Sequence, residues 1–140
     1  MPSDTEVFSV TVTTDADGGE LRAGDGVAAS GVERLRLDGA PPVLLAEFPG
    51  RSDRTLLFYN HYDVQPPEPL GEWSAPPFEL TVRGGCLYGR GTSDNKGDLV
   101  SRLAALRALR GTAGGLPCRV LFLVEGEEEV GSVHFGRYVR

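Results

Sequence analysis

Three short apolar runs organise the chain. Residues 43–48 (VLLAEF), 55–64 (TLLFYNHYDV) and 118–124 (CRVLFLV) are rich in leucine, valine and aromatics and are bounded by turn-forming sequence, which predicts strands rather than helices. The middle run is apolar almost without interruption and reads as a strand buried on both faces of a mixed or parallel sheet. Ahead of it, 33-ERLRL-37 alternates, and Gly39 to Pro42 turn that segment into 43–48. Further on the period changes: Leu99, Leu103, Leu106 and Leu109 recur at spacings of four, three and three, one face of an amphipathic helix closed by Gly111. Between them, 65-QPPEPLGEWSAPP-77 holds too many prolines for a ladder or a helix. Residues 78-FELTVR-83 and 86-CLY-88 flank Gly84-Gly85, which predicts a hairpin with a two-residue turn. At the start, 7-VFSVTVT-13 has strand composition and 14-TDADGGELRAGDG-26 reads as a polar loop. The order strand, loop, helix, strand predicts an α/β fold. We expect a mixed, mostly parallel sheet with flanking helices, in which 43–48, 55–62 and 118–124 are strands and the helix near 98–110 packs on one face.

Each long apolar run, and the loop before the helix, breaks into ionisable residues. The run at 55–64 ends on Asn60-His61-Tyr62-Asp63. Residues i and i+2 of a strand share a face, so His61 and Asp63 project together, and a carboxylate on one imidazole nitrogen fixes the tautomer while the other nitrogen stays open to a metal. Asp94 lies in 89-GRGTSDNKG-97, which leads into the helix and does not match a phosphate loop, since Lys96 precedes Gly97. The run at 118–124 breaks into 125-EGEEEVGS-132, whose acids are costly beside a buried strand without compensation by a cation or solvent. Taken singly, these read more readily as a structural His-Asp pair, an ordinary turn and a solvated acidic loop. Their shared position at strand ends favours one site. A histidine with several carboxylates and no cysteine suits zinc, or a harder ion such as manganese or cobalt. Two such ions bridged by a carboxylate would activate water for hydrolysis, with a spare carboxylate taking its proton.

Composition narrows the alternatives. A length of 140 residues allows one domain, and a net charge of −6 argues against nucleic acid or an anionic membrane as partner. With no apolar run long enough to span a membrane and no basic-then-apolar leader, a cytoplasmic location is expected. Cys86 and Cys118 are too far apart in sequence for a redox pair and are expected to be free and mostly buried. Thirteen arginines accompany a single lysine, Lys96, inside the most distinctive motif of the chain.

HYDVQPP, WSAPPF, LYGRGTSDNKG and EGEEEVGS, in that order, resemble the signature blocks of the co-catalytic zinc metallopeptidases, the family of carnosinase, cytosolic dipeptidases, acetylornithine deacetylase, succinyl-diaminopimelate desuccinylase and carboxypeptidase G. The dipeptidase branch is the most similar. The resemblance covers roughly residues 30–140, leaving 1–29 as an atypical N-terminal segment. It implies His61 as ligand to one metal, Asp94 as the carboxylate bridging two Zn2+ (or Mn2+ or Co2+), and Glu129 as ligand to the second. Glu128 would be the general base and Asp63 would orient His61, while Glu125 and Glu127 fall outside the functional pair. His134 is expected in a surface or structural place. The family's two further ligands and its inserted lid domain, through which relatives are expected to form homodimers, have no counterpart here. The implied function is hydrolysis of dipeptides by part of a catalytic domain, incomplete and inactive alone. The alternatives are an N-acyl amino acid amidase of the same family, or a non-catalytic remnant that at most binds metal weakly.

Overall fold

A computed structural model describes residues 11–13, 20–22, 31–112 and 115–140. Its centre is a four-stranded sheet of β3 (Gly31–Leu35), β4 (Val43–Phe48), β5 (Thr55–His61) and β8 (Arg119–Glu125) in the order β3-β4-β8-β5. The remaining strands form two small antiparallel pairs, β1 (Thr11–Thr13) with β2 (Glu20–Arg22) and β6 (Thr81–Arg83) with β7 (Cys86–Tyr88). β2 falls inside the segment expected to be loop. Most of residues 1–29 lies outside the described residues.

The sheet is mixed, but its balance corrects the expectation of mostly parallel pairing: β3–β4 and β4–β8 are antiparallel and only β5–β8 is parallel. Connection length explains the difference. A short turn through Gly39, at φ 76°, joins β3 to β4 and can serve only antiparallel strands. Between β5 and β8 the chain has room for α1 (Lys96–Thr112), the crossover a parallel pair requires. In the β6–β7 hairpin Gly84 and Gly85 both take positive φ, 58° and 78°, as a type I′ turn demands. β6 begins at Thr81 rather than at Phe78, because Glu79 N–H donates to the Pro76 carbonyl in a turn.

The core lies between the sheet and α1. Leu99, Leu103 and Leu106 are buried against Phe48, Val120, Phe122 and Val124, and the Phe122 ring meets Phe48 edge-on at 5.8 Å and Phe58 at 5.1 Å. Leu109 departs from the expected stripe. It is exposed at the far end of α1, beside a cavity of about 160 Å³ that Leu56, Phe58 and Leu116 also line. β5 departs further: it is an edge strand of the described sheet, with its first half exposed rather than buried on both faces. Both cysteines are free, but Cys86 is exposed on the hairpin and only Cys118 is partly buried. No helix among the described residues is long and apolar enough to cross a membrane.

Candidate metal centre

β5 and β8 run parallel in a register that sets His61 opposite Glu125. Both segments therefore leave the sheet together at their carboxyl ends, the usual place for a site in an α/β fold. Tyr62 N–H donates to the Glu125 carbonyl at 2.8 Å and prolongs the pairing by one step. The Tyr62 ring then crosses Gly126, where a Cβ would lie 2.2 Å from the Tyr62 hydroxyl oxygen, and that hydroxyl donates to the Pro42 carbonyl at 2.9 Å. Glycine after Glu125 is thus a requirement of close approach.

His61 is almost wholly buried, and carboxylates surround its ring. Nε2 lies 3.0 Å from Asp94 Oδ1 and 3.8 Å from Glu128 Oε2. On the other side, Nδ1 has the Asp63 carbonyl oxygen at 3.2 Å and its carboxylate Oδ1 at 3.3 Å. Burial pulls the pKa of His61 down, but the Asp94 hydrogen bond, the Asp63 carbonyl and the charges of Asp63 and Glu128 outweigh it, and the net shift is upward. Asp63 has a second task that spacing did not suggest: its Oδ2 accepts the Glu129 backbone N–H at 2.9 Å. One carboxylate therefore touches both the strand end and the acidic loop.

The four acids of EGEEEVGS have three destinations. Glu125 turns inward and is buried, accepting from the Tyr59 hydroxyl at 2.5 Å and the Ser132 hydroxyl at 2.8 Å. Burial first, and then the Glu125 contact, push the Tyr59 phenol up to about 12. Glu127 accepts the backbone N–H of His134 and faces its Nδ1 at 2.8 Å, which gives His134 a structural partner away from His61, at the start of α2 (Phe135–Tyr138). Glu128 and Glu129 occupy a 3-10 turn, Glu128–Val130, closed by Gly131 at φ 92°. This turn carries both acids toward His61. Gln65 holds Glu129 there, donating from its backbone N–H at 3.2 Å and from its amide at 2.7 Å to the two carboxylate oxygens.

His61, Asp94 and Glu129 accordingly each offer a ligand atom within 4.8 Å of the others, a spacing compatible with a shared cation. Their burial is graded, from enclosed His61 through half-buried Glu129 to Asp94 on an exposed turn whose Asp94–Asn95 peptide is cis. Gln65, Asn60, Asn95 and Ser132 were not singled out by sequence reasoning. Asn60 alone left a signal, a polar residue inside an apolar run.

The chain belongs to peptidase family M20/M25/M40, whose family model matches residues 57–138. It is 44% identical over 94 residues to the human Beta-Ala-His dipeptidase, a match covering 66% of this chain and 18% of that protein. It is 40% identical over 94 residues to the Cys-Gly metallodipeptidase dug1 of Schizosaccharomyces pombe, covering 66% and 20% respectively. The fold is similar to the crystal structure of an M20 family metallo-carboxypeptidase from Sulfolobus solfataricus, with a TM-score of 0.72 and 44% identity over 77% of this chain and 24% of that one. The chain thus spans about a fifth to a quarter of the length of these relatives.

Proposed function

We propose that residues 30–140 form part of the catalytic domain of a dinuclear zinc peptidase that hydrolyses dipeptides, with the region around His61 as its metal centre. The observation that carries this reading is the meeting of an imidazole nitrogen and two carboxylates from three separate segments within 4.8 Å. Nitrogen and oxygen donors without thiolate fit zinc, and also manganese or cobalt. His61 would hold one ion, Glu129 the other, and Asp94 both. Ions bound there would supply a nucleophile at neutral pH and polarise the scissile carbonyl.

The chain's own groups do the rest. Asp63 keeps the His61 ring turned so that Nε2 faces the site, by the contacts its carbonyl and carboxylate make on the Nδ1 side. Glu128 is the general base: its carboxylate is close to His61 Nε2 yet open to solvent, so it can take a proton from attacking water and return it to the departing amine. The relatives' names, a dipeptidase for Beta-Ala-His and another for Cys-Gly, support a small peptide as substrate. Among the described residues each ion would have two protein ligands, one fewer than catalytic zinc ordinarily has, so we expect this chain to bind metal but turn over slowly by itself.

Calorimetric titration with zinc tests the reading. Wild-type chain should bind, and His61→Ala and Asp94→Ala should each weaken binding at least about tenfold. Zinc binding that ignores both substitutions would overturn it. Any turnover of dipeptides or of N-acyl amino acids by the metal-loaded chain should vanish in Glu128→Ala, and comparing the two substrate sets separates a peptidase from an amidase.

A further inference from the structure

Three consecutive residues at and just past the end of β5 are each tied to one of three consecutive residues that lead into the first turn of α1. Asn60 donates its amide to Asn95 Oδ1 at 2.6 Å, His61 Nε2 meets Asp94 Oδ1 at 3.0 Å, and the Lys96 ammonium donates to the Tyr62 carbonyl. The middle tie joins two metal-ligand candidates, and the outer ties flank it. We propose that Asn95 and Lys96 are positioning residues, which clamp the 94–96 turn to residues 60–62 and so fix the reach of Asp94 toward His61.

Neither outer tie reads as a contribution to stability. Asn60 is fully buried, and its Oδ1 has no hydrogen-bond partner, so the residue forfeits hydration that the Asn95 bond restores only in part. A leucine pair of similar shape would cost less, as replacing both partners of a buried polar contact is near neutral. What a leucine pair lacks is direction. Lys96 makes the same point by its identity. Its stem runs past Gly91, at φ +86°, where a Cβ would come within 2.8 Å of Val64 Cγ1 and 3.4 Å of Lys96 Cε. Glycine at 91 thus leaves room for the Lys96 stem, and the single carbonyl that it reaches suits a compact ammonium, a point donor, better than a planar fork. In a chain with thirteen arginines, the one lysine falls at this position.

The inference rests on the metal-centre reading, and the sign of one effect separates positioning from electrostatics. The Lys96 ammonium opposes a nearby cation, so on Coulomb grounds alone its removal tightens metal binding. Removal of a positioning group weakens it, by about 10–100-fold for groups that orient ligands. Lys96→Met keeps the stem and deletes the charge and the donor. The experiment measures zinc affinity by chelator competition, the d–d absorption of the cobalt-loaded chain, and melting of the metal-free chain, for wild type, Lys96→Met, Lys96→Arg and Asn95→Ala. We expect all three variants to bind zinc about 10–100-fold more weakly with an altered cobalt spectrum, while Lys96→Met melts near wild type without metal and Asn95→Ala, which strands the buried Asn60 amide, melts lower. Unchanged or tighter binding in Lys96→Met, with a wild-type cobalt spectrum, overturns the clamp. Should Lys96→Met fail to fold, Asn95→Ala decides alone, and wild-type affinity there is equally fatal. A wild-type chain that binds neither ion is a different failure, that of the metal centre itself.

Discussion

β4 and β5 both carry Leu-Leu after their first residue, yet their burial runs in opposite directions. In β4 the apolar residues are enclosed, Val43, Leu44, Ala46 and Phe48 at 1–3% exposure. In β5, Leu56, Leu57 and Tyr59 stand 41–53% exposed, while polar Asn60 and His61 are buried at 0% and 3%. Position in the sheet accounts for the first contrast, since β4 lies between β3 and β8 whereas β5 pairs only with β8 among the described residues. It does not account for the second. Burying an imidazole and an amide is unfavourable unless other groups hold them, and here Asp94, Asp63 and Asn95 do. β4 is organised for the core and β5 for the candidate site at its end.

The largest effect that tests this division belongs to β4. Phe48→Ala removes a ring packed edge-on against Phe122 in a site with little room to collapse, and should cost about 3–5 kcal/mol in denaturant unfolding. A cost below about 1 kcal/mol would mean that β4 is not the anchor of the fold.

A pH effect at the end of β5 comes next. The pKa of His61 is raised above that of an ordinary imidazole, so the native chain holds the proton more tightly than the unfolded chain does. The stabilisation is complete below the unfolded pKa of about 6.5 and is lost as pH rises through the higher folded value. Metal-free chain should therefore lose stability on moving from about pH 6 to about pH 8, and His61→Gln should flatten that slope. Metal works the other way, because zinc and the proton compete for the imidazole. A wild-type slope that persists unchanged in His61→Gln would assign the titration elsewhere.

Much of this was legible in the sequence because it is local. Strand ends that break into His61, Asp63 and the acidic loop mark themselves, and the period of Leu99, Leu103 and Leu106 gave α1 and its buried face. What escaped depends on neighbours. The exposure of Leu56 and Leu57 follows from β5 having a strand neighbour on one side alone among the described residues, and apolar composition reads the same at a centre and at an edge. The parallel count is lower than expected because apolar runs do not say which strands are neighbours: β4 and β5, consecutive in sequence, both pair with β8 instead of with each other. Glu125 and Glu129 differ by a turn of backbone, one facing Tyr59 and Ser132 and the other Gln65, and the resemblance alone, not any pattern in the four acids themselves, separates them. Gln65 and Asn95 look like ordinary loop residues until the segments they join are set side by side.

The smallest effect is the most pointed test of β5. Leu57 sits opposite Leu121 in the parallel register, but about half of its surface faces solvent. Leu57→Thr keeps a strand-favouring residue at the position and removes little buried apolar area, so unfolding free energy should change by no more than about 0.5 kcal/mol. The same substitution at Leu44 should cost several times as much, because there the hydroxyl would be buried in the core. Unfolding measured at two protein concentrations completes the comparison. If Leu57→Thr costs as much as Leu44→Thr, and the cost grows with concentration, then in solution Leu57 is covered by another copy, and the contrast between the strands belongs to the isolated chain alone.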